Sequence, residues 1–321
     1  MNILPNHPAL RLLLKGLVFA GLNLCLLAGL LWHFSGQQRG IRLSYAESES
    51  NFLVQGGGGR YDAVLLGTSR GRVFSRDGNH ELLERVAGGR IANLSKGGGG
   101  GLMPAELHLA HFFARGNRAS HVIYLVDPWV FFSAVNNEEN DFFLRDEPFE
   151  WDILARLVLD GYPMNRISSY LQMIAVGSEG EWREISRYAA PGLTAGTLSR
   201  IDPEKMEKAR QHYLDRYDLN NFEKYASYVE RINALARSNG CDVTYVLLPI
   251  LMPGFPGADE VDRFLAQVAD QEPDVAYYNF ISAMHDRRWF YDHMHFNSAG
   301  IERFAGSVLH PLLHGGVPML D

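Results

Sequence analysis

The chain has 321 residues, 46% of them hydrophobic and 21% charged, an ordinary balance for a folded protein that excludes global disorder. Its formal net charge of −7, with no basic face and no basic run interleaved with aromatics, excludes nucleic acid as a partner class. The two cysteines, Cys25 in an apolar segment and Cys241 at the start of a predicted strand, fit neither an internal disulfide nor a zinc-ligand spacing.

Leu12 to Trp32 is apolar except for Lys15 and Asn23. As a helix it would span about 31 Å, enough to cross a bilayer core, with Lys15 snorkelling near one end. The rival is a cleaved signal peptide, but the small residues of Ser44-Tyr-Ala46 lie too far downstream for a cleavage site. Residues 1–36 are therefore expected to be a cytoplasmic tail and a transmembrane anchor. Arg11 and Lys15 precede the span and Arg39 and Arg42 follow it, so charge gives no orientation. The short tail is easily left in the cytoplasm, which places the large domain outside it.

Residues 37–60 read as a flexible stalk ending in Gly56-Gly-Gly-Gly59, because glycine runs have high chain entropy and nothing to pack. A phosphate-cradling loop would need a Gly-Lys-Ser/Thr, and none follows. From residue 61 to 315 short strand-like runs alternate with helical patterns. The predicted strands are Ala63–Leu66, Arg90–Leu94, His121–Val126, Val243–Leu248 and Val275–Asn279. The helical patterns are Pro104–Arg115, Phe222–Ser238, Asp259–Ala269 and Ala299–Leu313. Alternation of this kind predicts an open α/β sheet of parallel strands joined by right-handed crossovers. Residues 136–221 interrupt the rhythm. They hold an acidic stretch, Glu138 to Asp152, and helical spacing over Trp151–Ala175, which predicts a mostly helical insertion.

Two stretches carry chemistry. Asp62-Ala-Val-Leu-Leu-Gly-Thr-Ser69-Arg-Gly-Arg72 puts a serine on a turn directly after a predicted strand. Tyr291-Asp292-His293-Met294-His295-Phe296-Asn297 supplies a base, His295, and an orienting carboxylate, Asp292, just before a helix. The bland reading of Gly67-Thr-Ser69 is a structural turn, and it loses ground because the second stretch completes the set. His293, His295, Asp292 and His285 could instead ligate a metal, but no cysteine or helical His-x-x-x-His spacing supports that. No metal and no cofactor is expected.

Gly67-Thr-Ser69, Asn93-Leu-Ser-Lys-Gly-Gly98 and Asp292-x-x-His295-Phe-Asn-x-x-Gly300 resemble the first, second and fifth sequence blocks of the SGNH/GDSL hydrolase superfamily. The resemblance covers most of Asp62 to Leu313 and is most specific at its C-terminal block. It implies a flavodoxin-like three-layer sheet, Ser69 as nucleophile, His295 as base and Asp292 as its orienting partner. It also implies an oxyanion hole from the Ser69 and Gly98 backbone N–H groups. The family's third block usually offers an asparagine, where this chain has Val126-Asp127-Pro128-Trp129. An ionised aspartate cannot donate to an oxyanion, so Asp127 is either a turn residue or a group that binds an acceptor hydroxyl.

An apolar helix ahead of such a domain is similar to the extracytoplasmic O-acyl-transfer proteins of polysaccharide and teichoic-acid modification. That likeness implies a single-pass inner-membrane protein with a periplasmic domain, an acyl donor, a glycan or polyol acceptor and a membrane-bound O-acyltransferase partner. The alternative is a catalytically degenerate subunit that binds glycan or scaffolds a membrane complex.

Overall fold

A run of covered apolar residues starts the sheet. In the computed structural model, which describes residues 8–39, 57–97, 100–139, 149–176 and 192–321, β1 (Arg60–Gly67) is buried from Ala63 onward. Strands covered on both faces carry continuous rather than alternating apolar residues, and Ala63–Leu66 is such a run. With β2 (Ile91–Asn93), β3 (Arg118–Val126), β4 (Asp242–Leu247) and β5 (Val275–Asn279) it forms an all-parallel sheet in the order β2-β1-β3-β4-β5. Val64 sits in register with Ala92 on one side and Val122 on the other.

The helices are α1 (Pro8–Arg39), α2 (Ser69–Arg72), α3 (Asn79–Ala87), α4 (Leu102–Ala114), α5 (Trp151–Leu159) and α6 (Met164–Val176), then α7 (Pro203–Leu214), α8 (Phe222–Ser238), α9 (Ala258–Gln271), α10 (Ser298–Phe304) and α11 (His310–Leu313). A π turn, Ala305–Leu309, joins the last two. Side chains along a strand point alternately to the two faces, and two separate cores follow. Val64, Leu66, Val122 and Tyr124 pack with α4, α8 and α9. Ala63, Leu65, Ile123 and Leu125 pack with α3 and α10. The result is a three-layer α/β fold. α8 joins its layer through Tyr225, Val229, Ile232 and Ala236, the i, i+4, i+7, i+11 stripe of an amphipathic helix.

The five predicted strands are all present, with ends moved by three residues or fewer. α3 was not anticipated. The helical stretch over Trp151–Ala175 is two helices rather than one, because Gly161 adopts φ 70° and Pro163 follows it. Most of the predicted stalk, residues 40–56, lies outside the described residues. Its C-terminal glycines are held: Gly58 N–H donates to Arg115 O (3.1 Å) and Gly59 N–H to Asn117 Oδ1 (2.8 Å).

α1 is long and apolar enough to cross a membrane over Pro8–His33, with a mean hydropathy of 1.9. It packs against α6, and Leu31 near its C-terminal end is buried in the same core as α6. If α1 is a retained anchor, the full-length chain stays in the membrane pellet through a high-salt and alkaline wash at its intact mass. A shortened product in the supernatant marks a cleaved signal instead.

The chain passes from β1 to β2 on one side and then crosses to β3 on the other, so the sheet order reverses at β1. Ligands of open α/β sheets bind outside the carboxyl ends of the strands at such a point. β1 runs into Ser69 and β3 runs into Asp127.

Candidate active site

Gly67 ends β1 with φ 155°, and a Cβ there would lie 2.9 Å from the Leu125 carbonyl oxygen, so only glycine turns the chain at this point. Thr68 caps α2 by accepting the Arg70 N–H (3.3 Å). Ser69 is the first residue of that helix, where an N–H has no intrahelical acceptor. Among the described residues it donates to no acceptor. The serine is thus presented with a half-buried side chain and an unengaged backbone N–H.

The second half of the site is a pinched loop. Phe290 and Phe296 form an antiparallel bridge, and Tyr291 N–H donates to His295 O (3.1 Å), so residues 291–295 project toward Ser69. Phe296 also contacts Phe74 and Phe304 edge to face or tilted, with centroids 6.0 and 5.7 Å away. Phe74 follows the serine helix, so one aromatic cluster ties both halves of the site together. Asn297 then caps α10 by accepting the Gly300 N–H at 2.9 Å.

These two segments bring Ser69, His295 and Asp292 into one relay. Ser69 Oγ lies 2.9 Å from His295 Nε2, and His295 Nδ1 lies 2.8 Å from Asp292 Oδ2 and 3.1 Å from Oδ1. Asp292 Oδ1 also accepts the N–H groups of Met294 (2.8 Å) and His295 (2.7 Å). Partial burial opposes ionisation of Asp292, but the His295 hydrogen bond and charge, with the two N–H donors, outweigh it and hold the carboxyl below its ordinary range. Tyr291 stacks on the His295 ring with centroids 5.5 Å apart and planes 10° off parallel. A nucleophile, a base within hydrogen-bond reach and an oriented base are the components of covalent acyl transfer.

Arg70, the residue after the serine, is 2% exposed and binds three segments. Its Nη1 donates to Asp127 Oδ1 (2.6 Å), its Nε to Met294 O (3.0 Å) and its Nη2 to Pro249 O. Asp127 is fully buried, and its other oxygen accepts the Thr68 hydroxyl. Both carboxylate oxygens are therefore engaged beneath the serine turn, and no part of the side chain reaches an acceptor. The expectation that Asp127 binds an acceptor hydroxyl is corrected: its charge is used to seat Arg70.

The second sequence block lies against the same turn. Asn93 Nδ2 donates to Gly71 O (3.0 Å) and Ser75 Oγ (2.8 Å), and Lys96 N–H donates to Gly67 O (3.0 Å). Gly98, the expected second oxyanion donor, lies outside the described residues. Gly100 packs so closely that a Cβ would fall 2.6 Å from Gly67 O.

The insertion buttresses the base loop. Leu198 N–H donates to Phe290 O (2.7 Å), Asp202 N–H to His293 Nε2 (3.1 Å), and Tyr213 OH to Met294 Sδ (2.8 Å). His293 is thereby a contact for the insertion, whereas His285 lines a separate cavity of about 460 Å³ beyond β4 and β5 that no triad residue borders. Among the described residues no group of three or more His, Cys, Asp or Glu is placed to hold a metal ion.

Sequence reasoning missed Arg70, Thr68 and Tyr291. None of the three left a local signal: Arg70 is one of three arginines between Ser69 and Asp77. No known family profile matches this chain, and no curated protein sequence does either.

Removing one member of a buried charge pair strands the other. Arg70→Met should cost about 3–5 kcal/mol by denaturant unfolding, and Arg70→Met/Asp127→Leu should cost less than the sum of the single changes. A second expectation concerns acid. Because the Asp292 pKa is depressed, the stability it supplies is full above the ordinary aspartate value of about 3.9 and is lost as pH falls through the lower folded value. Thermal midpoints of the wild type and Asp292→Asn should therefore differ at neutral pH and converge in strong acid.

Proposed function

We propose that this protein is a serine-dependent acyl-transfer enzyme of SGNH/GDSL-hydrolase type, held at the membrane and acting on a cell-envelope glycan or polyol. The observation that carries the reading is the unbroken relay from Ser69 Oγ through His295 to Asp292, at 2.9 and 2.8 Å. Two further features support it. The strand order 2-1-3-4-5 is that of flavodoxin-like sheets. The relay also stands at the switch point of that sheet, and a role in binding alone gives no reason for its alignment.

In this mechanism Ser69 Oγ attacks the acyl carbonyl while His295 Nε2 takes its proton. Asp292 holds the imidazole with Nε2 toward the serine and stabilises the imidazolium. The Ser69 N–H receives the tetrahedral oxyanion, with a donor of the Gly97–Gly101 run as its partner, each worth about 3 kcal/mol in comparable sites. Collapse expels the leaving group, which takes the proton from His295 and leaves an acyl ester on Ser69. An acceptor hydroxyl then gives its proton to His295, attacks the ester, and releases the acylated product as Ser69 regains its proton. With water as acceptor the same steps are ester hydrolysis.

The third-block asparagine donor is replaced by a buried aspartate, so the hole is built from backbone N–H groups alone. The α7 side of the insertion, at Tyr213 and Asp202, stands beside the base loop and flanks the path of an incoming acceptor. The domain is assigned to the extracytoplasmic side, where a membrane-bound O-acyltransferase would deliver the acyl group.

The test is intact-mass spectrometry after mixing with a small activated acetyl ester. The wild type should gain one acyl group, mapped to Ser69, and lose it faster with a sugar or polyol than with water. Ser69→Ala and His295→Ala should each lower turnover by at least roughly 10³-fold with the fold retained, and His293→Ala should act more mildly. Unchanged turnover in Ser69→Ala removes the assignment.

A further inference from the structure

The outer face of α5 is apolar and largely open among the described residues, with Phe149 edge-on against the Trp151 ring at a centroid distance of 4.7 Å. Trp151, Ala155, Val158 and Leu159 are all exposed, Trp151 at 64% and Leu159 at 82%, and Met164 beyond the turn is exposed at 75%. At 3.6 residues per turn the four α5 residues fall within an arc of about 100°, and no polar residue interrupts it. Water should favour a charged face there. The inner face is separately satisfied: Ile153 and Leu157 are buried in the core. Polar anchors then fix which way the helix is turned. Arg156 pairs with Glu106 of α4 (2.6 Å), Asp152 with His111 of α4 (2.7 Å), and Asp160 at the helix end with Arg231 of α8 (2.7 Å). A helix clamped on one side and greasy on the other is built to meet a second apolar phase.

The position of α1 says which phase. Its C-terminal part packs against α6, the neighbour of α5, with Leu31 buried there and Trp32 80% exposed. If residues 8–33 cross the bilayer, Leu31 and Trp32 sit at its surface, and α6 is held at the same level. Tryptophan concentrates at that boundary because its ring is apolar and its N–H is wet; Trp32 and Trp151 provide one from the anchor and one from the domain.

We propose that α5 lies on the membrane as an interfacial helix, with Trp151, Ala155, Val158 and Leu159 sunk into the lipid headgroup and upper acyl region. Such helices bury their apolar face about 5–10 Å into that zone. The domain is thus held at two places, the α1 span and the α5 face, and its orientation to the bilayer is set. The partner is lipid itself. The inference rests on the reading of α1 as a membrane span.

The test uses the full chain with Cys25→Ser and Cys241→Ala, carrying one environment-sensitive fluorophore in vesicles of phosphatidylcholine and phosphatidylglycerol. Labels go at Leu159→Cys, at Leu22→Cys in the middle of α1, and at Glu302→Cys, which is exposed on the opposite layer. Quenching is by a nitroxide lipid labelled near the glycerol backbone and by aqueous iodide. The Leu159 label should be quenched by the lipid nitroxide and shielded from iodide severalfold relative to the Glu302 label. If the Leu22 label lies in lipid while the Leu159 label is as open to iodide as the Glu302 label, the anchor stands and interfacial docking is overturned. A Leu159 label shielded from iodide yet untouched by the lipid nitroxide means that protein covers this face, which also overturns it. A Leu22 label open to water removes the anchor and the docking together.

Discussion

A single buried guanidinium holds this site in shape. Arg70 reaches Asp127 at the end of β3, Pro249 at the end of β4 and Met294 in the base loop, so one planar group with a fixed fork of donors sets the spacing of three segments. Its location gives that spacing chemical meaning. Arg70 is bonded through the backbone to Ser69, and Met294 is bonded in the same way to His295. The distance across the relay is thus fixed by a hydrogen bond one residue away on each side. Burying such a charge is costly unless its partners are well made. Asp127 meets the charge, and the two carbonyls take donors that the carboxylate leaves over.

Around this centre the fold supplies stiffness in layers. β1 and β3 are buried over their carboxyl-terminal halves, and the turn of Gly67 and Thr68 leaves little room for drift. The aromatic cluster of Phe74, Phe296 and Phe304 links the serine segment to the base loop from below. From the outside, residues 194–213 of the insertion bond to Phe290, His293, Met294 and Asn297. The base loop has little regular structure of its own and takes its shape from both sides.

The parts legible in the sequence were those written in short range. Ala63–Leu66 announced a covered strand, Gly67-Thr-Ser69 a turn, and Asp292-x-x-His295 two side chains one loop apart. α3 is only nine residues long, so its helical spacing of Leu82, Leu83, Val86 and Ala87, of which Leu83 and Ala87 are buried, is a brief signal. The hub at Arg70 was out of reach for another reason. Its acceptors lie 57, 179 and 224 residues away, and two of them are carbonyl oxygens, which every residue possesses. Asp127 was misjudged as a direct result. Judged by its own neighbours it was an aspartate before a proline, and its partner could be named only once the strands were set side by side.

The 226-residue separation of Ser69 and His295 also sets a clock. A chain made from its N-terminus at about 5–20 residues per second exposes the serine roughly 10–45 seconds before its base exists. Through that interval Ser69 is an ordinary alcohol, because the imidazole, the Met294 carbonyl and the second core are all still unmade. On the proposed acyl-transfer reading, Ser69 gains its base only once residue 295 has been added. A chain ended before His295 lacks the relay altogether and could not run the proposed transfer.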